Sequence, residues 1–272
     1  MKKKLICGLT GSTGSLGKEV IKKNRNIKFS LFKGDIRNKK LVFRWICNNQ
    51  LDLVIHLAAI VPIKVVNGNT KKAYQVNYIG TKNVIDAITK VKTKWFFFAS
   101  TSHVYLSSKN TISEKSKTKP ISYYGYTKLE AEKYIQKKLS KTKTKYCIGR
   151  IFSTANVKQK KNYLVPDLIH KIKKSKKTLI LENLNHYRDF ISMQTISKVI
   201  FVLYKKNFNG IVNIASGKKI LLKDIAKKIL KKYNKKGSFY DNKKQTALIA
   251  NIGKLKKYYK GNLKTEIAKM IS

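Results

Sequence analysis

The sequence predicts an α/β fold, in which a doubly wound parallel sheet is followed by a small, discontinuous C-terminal lobe. Two observations predict this class. Short apolar runs alternate with amphipathic stretches up to residue 152, which is typical of strands that alternate with helices. A glycine-rich turn also lies between the first apolar run and the first amphipathic stretch, at residues 10–17. With 42% hydrophobic residues and only 3 Pro, the chain is able to bury a core.

The apolar runs of the first half predict its strands, and the stretches between them predict its helices. The predicted strands are 5–9, 27–32, 53–57, 95–99 and 146–152. The predicted helices are 16–21, 41–47, 74–88 and 124–139. Because a helical crossover returns the chain to the same edge of a sheet, these strands are expected to pair in parallel.

After residue 152 the pattern changes. A Lys-rich stretch is followed by predicted helices at 164–172, 196–204 and 222–233 and by a short predicted strand at 179–181. We therefore divide the chain at residue 155. Residues 1–155 are expected to form the sheet domain, and residues 156–272 mainly the smaller lobe, with segments that return to the sheet.

The chain carries 61 Lys and Arg against 13 Asp and Glu, a formal charge of +48, and only five of the basic residues are Arg. Specific contacts to bases favour the planar fork of Arg, so this Lys-dominated charge argues against sequence-specific recognition of nucleic acid. Two interpretations stay open. The lysines either reflect the codon bias of an AT-rich genome and lie on solvated faces, or they form a selected surface for polyanions. Both interpretations predict non-specific adhesion to nucleic acid at low salt.

Cysteine spacing and hydropathy indicate the cellular compartment in which the protein is expected. Cys7, Cys47 and Cys147 are odd in number and widely spaced, which excludes a disulfide framework and a zinc ligand set, so no metal site is predicted. The apolar run after the N-terminal lysines is too short for a signal peptide, and no run approaches the length of a membrane span. We expect a reduced, cytoplasmic protein without a membrane partner.

Residues 10–17 read T-G-S-T-G-S-L-G. Glycines allow a tight turn and a close approach of the backbone to a pyrophosphate, whose charge then meets the amides at the start of the helix. A purely structural turn is the competing interpretation, and the flanking strand and helix argue against it. The candidate cofactor loop comprises Gly11, Ser12, Thr13, Gly14, Ser15, Leu16 and Gly17.

This T-G-x-x-G-x-x-G spacing resembles the extended short-chain dehydrogenase/reductase family, the NAD(P)-dependent epimerases, dehydratases and ketoreductases of nucleotide sugars. Three further blocks match in the family's order: G-D-I-R-N at 34–38, H-L-A-A at 56–59 and N-Y-I-G-T-K-N at 77–83. The resemblance spans nearly the whole chain and implies a Rossmann-type fold with a substrate lobe. The residues it implies for the cofactor are Asp35 and Ile36 at the adenine, Leu57, Ala58 and Ala59 under the ribose and nicotinamide, and Asn77, which ties the central strands to the catalytic segment.

One departure from the family pattern bears on the cofactor. The second strand of the family usually ends in an acid that binds the adenosine ribose, whereas the predicted second strand here ends in Lys33. An acid would repel a 2′-phosphate, and Lys33, Arg25 or Arg37 would attract one. The sequence therefore favours NADP(H), with NAD(H) as the alternative.

The catalytic residues are implied by two blocks. Five Tyr-x-x-x-Lys pairs occur, but only Tyr124 and Lys128 lie in the family pattern P-x-S-x-Y-G-x-[ST]-K-x-x-x-E, at 120–132. The segment S-T-S-H-V-Y at 100–105 is similar to S-[ST]-x-x-V-Y, which gives Thr101 the substrate-orienting role. Tyr124 is expected to exchange a proton with the sugar oxygen while hydride passes between sugar and nicotinamide. Lys128, one helical turn away, would hold the nicotinamide ribose and lower the pKa of Tyr124.

Ser102 and His103 follow Thr101. The family's 4,6-dehydratases carry an Asp-Glu pair at these two positions, so elimination of the 6-hydroxyl would lack its acid and base here, and we do not expect a dehydratase. A lone His without a carboxylate partner is more often incidental than a proton relay. His103 is therefore given no role.

The lobe carries the implied substrate contacts. R-I-F-S at 150–153 resembles the family's R-x-F-N with Ser153 in place of Asn, and N-Y-L-V-P at 162–166 resembles the segment along the nucleotide base. R-D-F-I at 188–191 matches R-D-[FY]-[VI], whose Arg pairs with the substrate diphosphate. N-I-A-S-G at 213–217 resembles the loop after the lobe's strand. The implied substrate residues are Thr101, Ser102, Ser153, Asn162, Tyr163 and Arg188.

These residues lead to an oxidoreductase that acts on a nucleotide-activated sugar, and we expect a 4-keto-6-deoxyhexose 4-reductase. A 4-epimerase that keeps its NAD bound is the close rival, because it uses the same three residues. A non-catalytic module that binds nucleic acid through its charge is the alternative of another class. The family's dimers pack the helix of Tyr124 into a four-helix bundle, and Leu129, Ile135 and Leu139 are candidates for such a homodimer seam, although a core-facing helix would show the same pattern.

Overall fold

The computed structural model describes residues 4–108, 110–155, 159, 161, 163–263 and 267–271. The strands are β1 (Ile6–Thr10), β2 (Lys28–Leu31), β3 (Leu53–His56), β4 (Trp95–Thr101), β5 (Lys145–Ile151), β6 (Leu179–Glu182), β7 (Tyr187–Arg188), β8 (Gly210–Ile214), β9 (Ile220–Leu221), β10 (Gly237–Tyr240) and β11 (Ala247–Leu248). The helices are α1 (Ser15–Lys23), α2 (Lys39–Asn48), α3 (Ile63–Gly68), α4 (Thr70–Tyr74), α5 (Gly80–Ile88), α6 (Tyr123–Leu139), α7 (Leu164–Lys174), α8 (Met193–Lys205), α9 (Leu222–Lys232), α10 (Gly253–Tyr258) and α11 (Ile267–Ile271).

The central sheet has the strand order β2-β1-β3-β4-β5-β8, and all its strands run parallel. Its first five strands and the helices between them confirm the predicted doubly wound α/β class. β2 forms one edge of this sheet, so the half of the sheet before β3 contains only β1 and β2.

Both faces of the sheet are buried, as parallel sheets require. On one face α1 and α8 cover the sheet, with Val20 and Val199 fully buried. On the other face α2, α5 and α6 pack, with Val42 and Ile85 fully buried. Successive residues of β4 alternate between the two cores, since Phe97 lies in the first and Phe96 and Phe98 lie in the second.

The helix predicted for 74–88 is interrupted. A wider π-type turn at Gln75–Ile79 separates α4 from α5. Within it Asn77 is fully buried, and its carbonyl oxygen accepts a hydrogen bond from the Thr81 hydroxyl at 2.6 Å. Such turns often occur at functional positions of helices.

The strand before residue 215 lies in the central sheet, not in the lobe. Gly210–Ile214 pairs in parallel with β5 and forms the second edge of the sheet. The expectation that 213–217 follows a strand of the lobe is therefore wrong. The physical reason is that β8 is apolar on both of its faces. Val212 packs into the first core, and Ile211 packs against the second.

The three candidate residues for a dimer seam lie in the core of the chain, and the homodimer itself stays a prediction. Ile135 and Leu139 are buried in the core beneath the central sheet, and Leu129 packs with Val104 and Phe152. These side chains stabilise the single chain, as the core-facing alternative predicts, and leave no apolar stripe of their own for a second subunit.

The lobe has its own core, in which α7, α9 and α11 contribute Ile172, Ile229 and Met270. β6 and β10 form a parallel pair, and β7 lies between β11 and β9 in a second small sheet. α8 and β8 lie between these lobe segments in sequence but pack on the central sheet. Among the described residues, no helix combines the length and the apolarity needed to cross a membrane.

Candidate active site

The glycine loop is tightly packed against the end of β3. Gly11 has a φ of 72°, a left-handed conformation that favours glycine. A Cβ atom on Gly11 would lie 2.6 Å from the backbone nitrogen of Ala58, and one on Gly17 would lie 2.3 Å from the carbonyl oxygen of Gly11. Gly14 precedes α1, whose first turn holds no acidic residue, so the start of this helix is favourable for an anion.

A cavity of about 610 Å³ lies beside this loop, at the carboxyl ends of the central strands. Its volume suits a small-molecule ligand, and this edge of a parallel sheet is where α/β proteins bind ligands. The sequence-predicted residues that line it are Gly11, Gly14, Ser15, Leu16, Gly17, Leu57, Ala59, Thr101, Ser102, Tyr124, Lys128, Ser153, Tyr163 and Arg188.

Other predicted site residues lie outside the cavity wall. These are Ser12, Thr13, Asp35, Ile36, Ala58 and Asn77, and Asn162 lies outside the described residues. The Ala58 amide is engaged within the protein, since it donates to the Thr10 hydroxyl at 3.2 Å.

The turn after β2 carries a charge pair. The Arg37 Nε donates to both carboxylate oxygens of Asp35, at 3.0 and 2.9 Å, and its backbone N–H donates to one of them at 2.9 Å. These bonds hold the pKa of Asp35 below its usual value. The amide of Asn83 donates to the carbonyl oxygens of Ile36 and Arg37, which fixes the turn against α5. Arg37 thus offsets the charge of the acid predicted to meet the adenine.

The start of α6 positions the catalytic pair. The Ser122 hydroxyl accepts a hydrogen bond from the Gly125 amide at 3.1 Å and caps the helix. Tyr124 and Lys128 then lie one turn apart on the side that lines the cavity. A Cβ atom on Gly125 would lie 2.2 Å from the carbonyl oxygen of His103, so only glycine permits this contact between α6 and the turn after β4.

Tyr124 and Thr101 meet in the cavity. Burial and the neighbouring phenol of Tyr163 raise the pKa of Tyr124 above its usual value, although a hydrogen bond with the Thr101 hydroxyl acts in the opposite direction. The pKa of Tyr124 is therefore raised overall, whereas a lowered value was expected from its spacing to Lys128. Removing a phenolate from water is the larger effect, and Tyr124 is protonated at neutral pH.

Lys128 is a buried lysine, with only 2% of its surface exposed. Burial lowers its pKa to about 7, although the nearby Glu132 carboxylate raises it. The ammonium Nζ lies 4.0 Å from the centre of the Phe98 ring, a cation–π contact that stabilises the charged form. Lys128 is therefore poised between its charged and neutral forms near neutral pH.

Behind Lys128 lies a buried ion pair that the sequence motifs contained but that was not predicted. Glu132 and Arg150 are almost fully buried, and the Arg150 Nη2 donates to the Glu132 carboxylate at 2.7 Å. Ser100 hydrogen-bonds the same carboxylate. The Arg150 guanidinium also lies 4.6 Å from the centre of the Tyr105 ring. The sequence did contain a signal for this pair. Glu132 and Arg150 both lie in family motifs, and opposite charges that are buried have to be paired.

A second buried network joins β1, β3 and α5. The Ala58 amide donates to the Thr10 hydroxyl, which donates to Nδ1 of His56 at 2.6 Å. His56 Nε2 lies 3.0 Å from the Thr81 hydroxyl, and that hydroxyl donates to the carbonyl oxygen of Asn77. Because a carbonyl only accepts, all donors in this chain point the same way and His56 is neutral. Burial, with a smaller contribution from Lys128, lowers its pKa to about 3.

Asn77 links the cavity wall to the catalytic helix. Its side-chain oxygen accepts from the Ile60 amide at 2.8 Å, and its Nδ2 donates to the Ile60 carbonyl at 3.0 Å and to the Thr127 hydroxyl at 3.1 Å. Thr127 in turn donates to the carbonyl oxygen of Tyr124. Asn77 therefore acts on the site through the backbone of α6 and of the loop after β3.

Arg188 gives the lobe side of the cavity its positive charge. Its Nη1 donates to the Tyr187 carbonyl at 2.7 Å and to the Thr246 hydroxyl at 3.1 Å. No carboxylate among the described residues forms an ion pair with it. The next residue, Asp189, accepts from the backbone and hydroxyl of Ser216 and from two further amides, which holds this segment in place. Arg188 is thus fixed and free to meet an anionic ligand.

The glycine loop, the Tyr-Lys pair on one helix and the Thr at the neighbouring strand end lie together at the carboxyl edge of a Rossmann-type sheet, as the resemblance to the extended short-chain dehydrogenase/reductases implies. A family model described as GDP-mannose 4,6 dehydratase matches residues 6–266. The chain belongs to this family, whose members use nicotinamide dinucleotide cofactors.

Similar proteins differ in their reactions. The GDP-6-deoxy-D-talose 4-dehydrogenase of Aggregatibacter actinomycetemcomitans is 30% identical over 220 residues, which are 77% of this chain and 74% of that protein. The dTDP-D-glucose 4,6-dehydratase of Dictyostelium discoideum is 26% identical over 219 residues, 76% of this chain and 50% of that protein. The structure of RMD from Pseudomonas aeruginosa complexed with NADPH has a TM-score of 0.87 at 17% identity, over 98% of this chain and 96% of that one. This structural likeness shows the shared fold.

Proposed function

We propose that the protein reduces the 4-keto group of a nucleotide-linked 4-keto-6-deoxyhexose, with NADPH as the preferred hydride donor. The observation that carries this proposal is the meeting of Thr101, Tyr124 and Lys128 in one cavity, with Tyr124 in its protonated form. Reduction of a ketone needs a proton donor at the carbonyl oxygen, and a phenol whose pKa is raised by burial holds that proton throughout the physiological range.

The reaction adds a hydride to the carbonyl carbon and a proton to its oxygen. A nicotinamide dinucleotide held by the glycine loop would supply the hydride. Tyr124 gives its hydroxyl proton to the oxygen of the new C4 alcohol, and the Thr101 hydroxyl hydrogen-bonds the same oxygen and orients it. The charged form of Lys128, one turn away, stabilises the phenolate that Tyr124 leaves behind.

The cofactor would be held by the glycine loop. Gly11 and Gly17 let the loop pack closely on itself and on the end of β3, where a Cβ atom would clash with the backbone, and the opening turn of α1, which has no acid, suits a pyrophosphate. Leu57, Ala59 and Lys128 line the same cavity as the loop. This arrangement fits a dinucleotide.

The preference for NADPH is argued from the turn after β2. Its carboxylate, Asp35, is already paired with Arg37, and Lys33 at the end of this edge strand is exposed. The pair leaves the turn with a net positive charge, which favours a 2′-phosphate over two ribose hydroxyls. Asp35 would meet the adenine only after exchanging its contact with Arg37.

The substrate would lie between Tyr124 and the lobe. Arg188 supplies a guanidinium that no carboxylate of the described residues pairs with, and Tyr163 and Ser153 line the same cavity. The C4 position is supported by the relative named a 4-dehydrogenase of a GDP-6-deoxyhexose, since dehydrogenation and reduction at C4 are one reaction in opposite directions. Ser102 and His103 provide no carboxylate for elimination, which disfavours the dehydratase reaction of the other relative.

The test is turnover of GDP- and dTDP-linked 4-keto-6-deoxyhexoses with NADPH and NADH, followed by the absorbance of the reduced nicotinamide. We expect consumption of NADPH with one of these substrates, and a loss of roughly 10²–10⁴-fold in the Tyr124→Phe variant. Tyr126→Phe is the matched control, because Tyr126 is on the same helix and exposed to solvent.

Two outcomes would overturn the proposal. The first is a protein that retains NAD through purification and interconverts sugars without net consumption, which would establish the 4-epimerase. The second is unchanged turnover in Tyr124→Phe, which would exclude the phenol as the proton donor.

A further inference from the structure

The His103 ring differs from that of the buried His56 in having no hydrogen-bond partner among the described residues. Both ring nitrogens of His56 are hydrogen-bonded within the protein, and Nδ1 of His186 accepts from Thr246. The ring of His103 makes no hydrogen bond or ion pair with any residue that the structure describes, yet it lines the cavity. A polar ring in such a place has its hydrogen-bonding capacity directed to a ligand.

The position of the ring is fixed relative to the catalytic hydroxyls. The His103 amide donates to the Thr101 hydroxyl at 3.2 Å, and the turn Ser102–Val104 starts directly after β4. The contact of its carbonyl oxygen with Gly125 holds this turn against α6. The imidazole then meets the Tyr124 ring edge to face, with 6.1 Å between the ring centres. His103 is therefore as firmly placed as Thr101 and Tyr124.

The chemistry of the ring selects its ligand. Burial and the charge of Arg188 lower the pKa of His103 to about 4, so the ring is neutral at physiological pH. A neutral imidazole has one N–H donor and one nitrogen acceptor. A hydroxyl group, which also donates and accepts, matches this pair, whereas a phosphate would match Arg188 instead.

We propose that His103 is a specificity-determining residue that hydrogen-bonds a hydroxyl of the substrate sugar on a carbon adjacent to the one that reacts. The proposal rests on the proposed function for the identity of the ligand as a nucleotide sugar. Its geometric basis is that Tyr124 and Thr101 hold the reacting oxygen while Arg188 holds the diphosphate, and His103 lies beside Tyr124 with an unfilled donor and acceptor.

The test compares the sugar with its nucleotide. Isothermal titration would measure the affinity of the wild type, His103→Phe and His103→Asn for GDP-mannose and GDP, for dTDP-glucose and dTDP, and for UDP-glucose and UDP. In His103→Phe, which keeps a ring of similar size, we expect about tenfold weaker binding of the sugar nucleotide preferred by the wild type, and unchanged binding of its nucleoside diphosphate. His103→Asn should recover part of the loss, since an amide also donates and accepts.

A matched control is His170→Phe, because His170 lies on α7 and does not line the cavity. Unchanged affinity of His103→Phe for the sugar nucleotide overturns the proposal, and so does an equal loss for the nucleoside diphosphate, which would assign the ring to the diphosphate side. A wild type that binds no sugar nucleotide more tightly than its nucleoside diphosphate overturns this inference together with the proposed function. A sugar-specific loss in His103→Phe without any turnover of keto sugars by the wild type would overturn the reductase alone.

Discussion

At the scale of single residues, Lys128 and Tyr124 are governed by burial more than by each other. The Tyr-x-x-x-Lys spacing suggests that the ammonium makes the phenol more acidic. In the folded chain burial raises the pKa of Tyr124 and lowers that of Lys128 to about 7, so each side chain moves toward its neutral form. The pair is therefore an acid, Tyr124, next to a base of nearly neutral pKa.

This buried amine gives a stability prediction. The ordinary Lys pKa of 10.5 applies to the unfolded chain, and the folded chain has the lowered value of about 7. Between these values the unfolded state binds more protons, so stability rises with pH, and below about 7 the full cost of a buried ammonium is present. Lys128→Met, which removes the charge and keeps the length, should be most stabilised relative to the wild type at pH 6. The advantage should shrink as pH rises from 7 to 10.

Chemical denaturation of both proteins across this pH range would measure the difference in the free energy of unfolding. Lys133→Met is the control, because the Lys133 side chain is exposed on the same helix. A difference between Lys128→Met and the wild type that stays constant with pH would contradict the lowered pKa.

At the scale of elements, the site depends on the contact between α6 and the turn after β4. α6 carries Tyr124 and Lys128, the end of β4 carries Thr101, and Gly125 lets the two elements touch. The Glu132–Arg150 pair ties the same helix to β5 from inside the core. Separate elements are thus held together at the level of their backbones and not only through the catalytic side chains.

The contact between Gly125 and the turn after β4 predicts that adding one methyl group lowers turnover. Gly125→Ala would place a Cβ atom 2.2 Å from the His103 carbonyl oxygen, so α6 or the turn has to move. We expect turnover to fall by about 10²-fold, because a displacement of this kind separates Tyr124 from Thr101. Gly68→Ala should leave turnover unchanged, since nothing lies within 4 Å of the added atom.

The readout is kcat with the keto-sugar substrate beside the affinity for the dinucleotide. The glycine loop lies between β1 and α1, away from the contact of Gly125 with the His103 carbonyl oxygen. Dinucleotide binding should therefore persist in Gly125→Ala. Full activity of Gly125→Ala would show that the elements adjust without loss of geometry, contrary to this prediction.

At the scale of the whole molecule, the formal charge of +48 opposes folding through self-repulsion. Salt screens such repulsion over about 8 Å at physiological ionic strength. The Tm should therefore rise as NaCl increases from low to physiological concentration, and non-specific adhesion to DNA should weaken over the same range. Partial acetylation of the lysines is the control, because it removes the charge and should flatten both dependences. A Tm that is insensitive to salt would contradict a repulsive surface.

Local patterns predict much of this fold, and most of the predicted site residues line the cavity. The strand and helix periodicities predict the first five strands, and the motifs place Thr101, Tyr124 and Lys128 where the structure has them on one wall. The position of β8 was missed because a short apolar run does not show which strand it will pair with. That choice depends on contacts between residues far apart in sequence.

The charge states were missed for the same reason. The pKa of Tyr124 depends on its burial and on Tyr163 of the lobe, and that of His103 depends on its burial and on Arg188. These neighbours are supplied by tertiary packing, whereas the spacing of Tyr124 and Lys128 reports only one helical turn. The sequence motifs therefore predict where these side chains lie better than they predict their protonation states.

The one-directional series of hydrogen bonds through His56 bears on where the proton of each turnover comes from. Its two ends are a backbone amide and a backbone carbonyl, and neither gives up or takes up a proton at physiological pH. This series therefore cannot resupply Tyr124 from the interior. Under the proposed reduction, the proton returns to the phenol from the cavity side, where Lys128 titrates near neutral pH.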